Sequence, residues 1–421
     1  MKKALWLILS IACVTGLMAG RRPDRKLMIE QMVLVNERFM AQHPVAGDSI
    51  RINGVRPSNI WTRSVYMEGL LALNEVAPQP RYVEYAMDWA VANLWGFRGG
   101  SHTRNADNQC CAQVYIDLYR LHEDAQVLGN TERMLNNVVN STERGDWSWI
   151  DALQMAMPVY AKMGVVKQDI RYFRTMRELY GYTRDCAGQV GLFNTIDGLW
   201  WRDADFIPPY KEPNGKNCYW SRGNGWVMAA LARTIDEMER AEDLFVGDEK
   251  QEIADIKKLL TDDFLAMAFS VKKCQRSDGF WNCSLTDEFH YGGPETTGTA
   301  LFLYGMAWGM RNGVLSDEVF GEPALKAWNA LMHDAVHPDG FLGYVQGTGK
   351  EPKDGQPVGY DSKPDFEDFA IGCYLLAGAE MIKFLTHLKS ATTRLYDTEA
   401  KIICIVSKKG AQCIECHHKD I

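Results

Sequence analysis

The sequence predicts an all-α protein, an (α/α)6 barrel of six helical hairpins. Two observations carry this. Apolar residues recur at i, i+3 and i+4 through almost every segment, and alternating strand pattern is scarce. One turn signal, Asp-Gly followed by bulky apolar residues, occurs at Asp197-Gly198, Asp278-Gly279 and Asp339-Gly340, spaced by 81 and 61 residues. A period near sixty fits one helix hairpin with its loops, and roughly 365 residues hold about six such units.

The helices are expected in this order. Asp24–Ala41 opens the series. Asn59–Val76 follows, with Ile60, Ser64, Met67, Leu71 and Asn74 on one stripe. Then come Arg81–Leu94, Ala106–Leu121, Ala125–Val138, Trp149–Met163 and Asp169–Tyr180. Gly225–Arg240, Glu249–Phe269, Glu295–Met310, Pro323–His333 and Phe366–Leu388 complete about twelve. Inner helices of such a ring are buried on all sides and tolerate Gly, Ala and Met. The stretch from Gly292-Gly293-Pro294 to Trp308 has that composition. In the recurrent turn, Asp-Gly supplies the position with positive φ.

Composition narrows the function. The 421 residues are 46% hydrophobic and 24% charged, as in a globular protein, which excludes disorder, collagen and coiled coil as descriptions of the whole chain. Lys+Arg is 46 and Asp+Glu is 54, a net charge of −8 without a basic run, which argues against nucleic acid as a partner. The 13 Trp suit a sugar-binding cleft and a large helical core equally.

Residues 1–20 read as a signal peptide: Lys2 and Lys3, an apolar run from Ala4 to Leu17, then small residues before Arg21-Arg22. The protein is therefore expected to be exported to a periplasm or beyond; lipidation at Cys13 is the alternative. Nothing later is apolar for long enough to span a bilayer. Residues 24–388 form the expected barrel domain, and residues 389–421 a tail of unassigned role. Most of the 11 Cys, including Cys110-Cys111, read as buried fillers. Cys404, Cys413, Cys416, His417 and His418 in the tail raise a zinc site, but they lack a second pair at finger spacing. Oligomeric state is not legible.

Five segments can carry chemistry. In Asp146-Trp147-Ser148-Trp149-Ile150-Asp151, Asp151 opens an apolar helix and shares a face with Met155 and Pro158. A carboxyl among Trp and Met loses hydration, which favours its neutral form, and the helix N-terminus opposes this. A helix-capping acid and a proton-transferring acid are both open readings. Asp107 is a second acid at a polar helix start, and capping explains it alone. In Trp220-Ser221-Arg222-Gly223-Asn224-Gly225-Trp226, the glycines can let backbone N–H groups approach a ligand and Arg222 can clamp a carboxylate; close packing is the other reading. Trp200-Trp201-Arg202 sits in a loop, where binding groups and rim packing are equally expected. Glu295-Thr296-Thr297 is a hydroxyl-rich helix start, explained by capping or by ligand contact. Phosphate-loop, Gly-x-Ser-x-Gly, His-Glu-x-x-His and dinucleotide signatures do not occur.

Asp107, Trp149-x-Asp151 with Met155 and Pro158, Gly198-Leu199-Trp200, and Trp220-x-Arg222-Gly223-x-Gly225-Trp226 occur in this order. Over residues 24–388 the chain resembles glycoside hydrolase family 105, the unsaturated rhamnogalacturonyl hydrolases, and the related family 88 unsaturated glucuronyl hydrolases. The resemblance implies an (α/α)6 barrel enzyme that removes a 4,5-unsaturated uronic acid from the non-reducing end of lyase-generated oligosaccharides. It implies that Asp151 protonates C4 and then helps water add at C5, with Asp107 holding substrate and tuning Asp151. It implies sugar contacts from Trp149, Trp220, Trp226, Trp201, Met155 and Thr297, and uronate recognition by Arg222. No metal or cofactor is implied. Better-known members carry a His where this chain has Arg202, which cannot titrate and can bind a carboxylate or sulfate. The acidic polymer that supplies the substrate is therefore open. An inverting glycosidase using Asp107 and Asp151, and a non-catalytic glycan-binding protein, are the alternatives.

Overall fold

The computed structural model describes residues 23–409. The signal segment and Cys413, Cys416, His417 and His418 lie outside the described residues, as does the side chain of Cys404. Helices pair in succession along the chain. The hairpins are α1 (Arg25–Gln42) with α2 (Trp61–Val76), and α3 (Pro80–Ala92) with α4 (Ala106–Gln109) and α5 (Cys111–His122). Next come α6 (Gly129–Val139) with α7 (Asp151–Lys167), and α8 (Ile170–Gly181) with α9 (Ser221–Glu242). The last are α10 (Gly247–Lys273) with α11 (Thr296–Arg311), and α12 (Asp317–Ala330) with α13 (Asp368–Lys409).

The second member of each hairpin faces inward. α2, α4/α5, α7, α9, α11 and α13 pack in that order, and α13 closes the ring against α2. Burial follows position. In α11 every residue from Thr296 to Met310 is buried. In the outer helix α8 burial follows a stripe through Ile170, Phe173, Met176 and Leu179, as a one-sided helix requires. The expected (α/α)6 barrel is thus the observed fold. Two short antiparallel ladders supplement it, β1 (Ile50–Arg51) with β2 (Val55–Arg56) and β3 (Phe193–Asn194) with β4 (Leu199–Trp200).

Three boundaries differ from expectation. α9 starts at Ser221, so Gly223 and Gly225 lie inside it. α12 starts at Asp317 and carries Pro323 in its interior. α13 runs past Leu388 to Lys409. Its Asp368–Leu388 segment is long and apolar enough to cross a membrane, contrary to the sequence reading, with mean hydropathy 1.4. It is 83% buried as an inner helix of the barrel, which accounts for its composition.

The Asp-Gly turns have the expected backbone: φ is +64° at Gly198, +95° at Gly279 and +85° at Gly340. Each turn sits on an outer helix. A Cβ at Gly198 would lie 2.8 Å from the Ala266 carbonyl of α10. One at Gly279 would lie 2.5 Å from that of Lys326 on α12, and one at Gly340 2.7 Å from that of Leu34 on α1.

The two ends of the ring differ. Inner-helix N-termini gather at one mouth. At the other, a cavity of about 550 Å³ is lined by charged side chains. These are paired: Arg120 donates to both Glu237 oxygens at 2.8 and 2.7 Å, Lys162 meets Asp117, Arg233 meets Glu68, and Arg311 meets Glu380. Arg120 and Arg311, in the last turns of their helices, also interact favourably with the helix dipole.

Candidate active site at the N-terminal mouth

Two carboxyls open neighbouring inner helices. Asp107 is in the first turn of α4 and Asp151 is the first residue of α7. Asp151 is 8% exposed. Burial pushes its carboxyl above the usual range, against the pull of Arg202 and Arg222. Asp107 is pushed up to about 6, first by burial and then by the Asp151 carboxylate, while Arg202 and Arg98 lower it. The pair therefore holds a proton more readily than isolated acids would.

Arg202 reaches Asp151 because the backbone brings it there. Trp149 pairs with Asp203 in an antiparallel bridge, and the Ile150 N–H donates to the Arg202 carbonyl at 3.0 Å. The Arg202 Nε then lies 3.2 Å from Asp151 Oδ2, and its Nη1 donates to Asp203 Oδ2 at 2.6 Å. Asn224 pins this strand to α9. It accepts from the Trp200 N–H at 2.9 Å and donates to the carbonyls of Trp200 and Trp220, each at 3.0 Å.

Arg222 is 1% exposed. Its Nη1 donates to the Gln346 carbonyl at 2.8 Å and its Nη2 to the Gly347 carbonyl at 2.7 Å. Its guanidinium also lies 4.5 Å from the Trp220 ring centre. Arg222 thus clamps the loop after α12 and is no open carboxylate fork. Trp220 is equally committed, donating from Nε1 to Gln346 Oε1 at 2.9 Å. Gln346 in turn donates to the Glu351 carbonyl at 3.0 Å and the Asp354 carbonyl at 2.7 Å. Lys350 on this loop pairs with Asp205 at 2.9 Å and spans the rim.

The reading of Gly223 and Gly225 as a ligand cradle is corrected. A Cβ at Gly223 would lie 2.9 Å from the Trp220 ring, and one at Gly225 2.8 Å from Leu301 Cβ, so these glycines allow close packing. Thr297 donates to Glu295 Oε1 at 2.6 Å and is fully buried. Met155 and Trp226 are 1% exposed and do not lie on an open surface. Trp149 and Arg202 are half-buried, and Trp201 is 9% exposed.

Sequence reasoning missed Asn224, Gln346 and Trp61, while Glu295 has the capping role that was one of its two readings. Asn224 lies inside the quoted Trp-rich segment, so its place was visible though its role was not. Trp61, half-buried at the start of α2, packs edge-on to Trp226 with ring centres 6.3 Å apart. Gln346 carries no local signal. Among the described residues seven cysteines, Cys110 and Cys111 included, are free. Among the described residues no cluster of His, Cys, Asp and Glu has metal-binding geometry.

The helical toroid with two acids at one mouth is an (α/α)6 barrel with a site suited to acid–base chemistry. The sequence matches the Glycosyl Hydrolase Family 88 profile over residues 31–385, and the chain belongs to that family. It is 28% identical over 348 residues to an unsaturated 3S-rhamnoglycuronyl hydrolase of Formosa agariphila, covering 77% of this chain and 84% of that protein. A family 88 glycosyl hydrolase from Bacteroides vulgatus superposes with TM-score 0.74 at 30% identity, covering 86% of this chain and 100% of the other. A solved polysaccharide lyase superposes equally well, TM-score 0.74 at 29% identity, covering 86% and 98%.

Proposed function

We propose that this enzyme removes a 4,5-unsaturated uronic acid from the non-reducing end of an acidic oligosaccharide by hydrating its C4=C5 bond. The observation that carries the reading is the pair of acids at the mouth, Asp151 buried and Asp107 half-buried, with Asp107 pushed up to about 6. Asp151 donates its proton to C4, and the π electrons leave C5 as an oxocarbenium centre shared with the ring oxygen. Water adds at C5 and returns a proton to the Asp151 carboxylate. The hemiketal opens, and the hemiacetal left at C1 releases the leaving sugar. One water is consumed. The name of the Formosa agariphila relative supports the unsaturated uronyl substrate. The Lys2-Lys3 and apolar leader supports export of the enzyme to where lyase products form.

The test follows the enol-ether ultraviolet absorbance of lyase-generated oligosaccharides. Absorbance should fall with the parent. The fall should slow at least ~100-fold with Asp151→Asn, the scale expected for removing a general acid. A fully active variant removes Asp151 from the mechanism. The lyase similarity favours a second reading, β-elimination from an intact polymer, in which absorbance rises instead. Equal cleavage of a saturated glucuronide would identify an ordinary glycosidase.

A further inference from the structure

An acid that must carry a proton is an odd partner for a guanidinium, yet the Arg202 Nε lies 3.2 Å from Asp151 Oδ2. An adjacent cation favours the ionised carboxyl. Drawing Arg202 away would let burial act on Asp151 unopposed by its nearest cation and strengthen its hold on the proton. The substrate brings a group that can do so. In a 4,5-unsaturated uronate the carboxylate is attached to C5, two bonds from the C4 that receives the proton. A side chain touching Asp151 is therefore within reach of that carboxylate.

We infer that Arg202 exchanges partners on binding, leaving Asp151 for the substrate carboxylate, so that the substrate itself arms the acid. This rests on the unsaturated-uronide reading above. Arg202 is built for the exchange. Its Nη1 is tethered to Asp203 at 2.6 Å, which gives a pivot, and its side chain is 21% exposed. Among the described residues no hydrogen bond engages its Nη2. Two of the other cations near the acids are engaged, while Arg98 is exposed and acts on Asp107. Arg222 donates to the Gln346 and Gly347 carbonyls, and Lys350 is held by Asp205. The charged groups acting on Asp151 are Arg202 and Arg222, with Asp107 beside it. Those acting on Arg202 are Asp151, Asp203 and Asp107, and Lys350 stands nearby. A neutral ester at C6 has no charge with which to compete for the guanidinium.

The exchange predicts different proton affinities for Asp151 in free and bound enzyme. The alkaline limb of kcat/KM reports the free enzyme and that of kcat the complex. Activity needs protonated Asp151, so each limb falls as pH rises through the relevant value. With a 4,5-unsaturated glucuronyl disaccharide, the kcat limb should lie about one pH unit or more above the kcat/KM limb, the usual effect of removing an adjacent cation. With the C6 methyl ester of the same disaccharide, the two limbs should coincide and turnover at neutral pH should drop about tenfold or more, matching that offset. Arg202→Gln should bring the limbs together on the free acid, and the ester arm needs no variant. Coincident limbs for the parent enzyme on the free acid, or separated limbs that persist with the ester, would overturn the exchange while leaving the hydrolase reading intact. Absence of turnover on every unsaturated uronide would overturn both.

Discussion

Replacing Asp107 by Asn should make the protein more stable and the enzyme worse. The carboxyl moves from an ordinary 3.8 to about 6 on folding, mainly because it is buried beside a second carboxyl. A tenfold change in proton affinity is worth about 1.4 kcal/mol. Keeping Asp107 ionised in the folded state at pH 7.5 therefore costs about 3 kcal/mol. The sign follows from the raised value. Below 3.8 the group is protonated in both folded and unfolded chains, and nothing is lost. Stability declines as pH rises from there to about 6, then levels off. Asn cannot ionise and escapes the whole loss. The variant should gain about 3 kcal/mol at pH 7.5 but only about 1 kcal/mol at pH 4.5. Urea titrations of parent and variant at the two pH values measure both numbers. A gain that is absent at pH 7.5, or equal at both pH values, would refute the claim that burial and the neighbouring Asp151 raise Asp107.

Two further predictions concern the scaffold. Gly225→Ala should cost about 1–3 kcal/mol in urea unfolding, because its Cβ would sit 2.8 Å from Leu301 Cβ between two inner helices. Arg233→Met should cost about 3–5 kcal/mol, since it strands the Glu68 carboxylate, whose side chain is 0% exposed. Adding Glu68→Leu should recover most of that loss, and a double variant as unstable as the single one would show that packing, not charge, is the cause.

The barrel was legible because helical periodicity is local, and six hairpins leave few ways to bury twelve stripes. Both acids were visible as helix-start residues, Asp151 on an apolar helix and Asp107 on a polar turn. What the sequence could not display is who faces whom. Arg202 meets Asp151 through a bridge between segments 51 residues apart. Arg222 looks like a carboxylate clamp until the carbonyls of Gln346 and Gly347, more than a hundred residues later, take its donors. The glycines of the Trp-rich segment looked like a cradle because Gly is scarce inside ordinary helices. Their real neighbours, Ile150 and Leu301, belong to other hairpins. Thr297 hides its hydroxyl in a cap, which no spacing rule distinguishes from a ligand contact.

The bare Cα of Gly340 rests on the backbone of the first helix at Leu34, some three hundred residues earlier in the chain. An open solenoid can gain or lose a repeat at either end, since each unit touches only its neighbours. Here the last units grip the first, so the closed circle cannot shed one without reopening. Its assembly must wait for contacts of very high sequence separation, a topology that makes for slow, all-or-none folding.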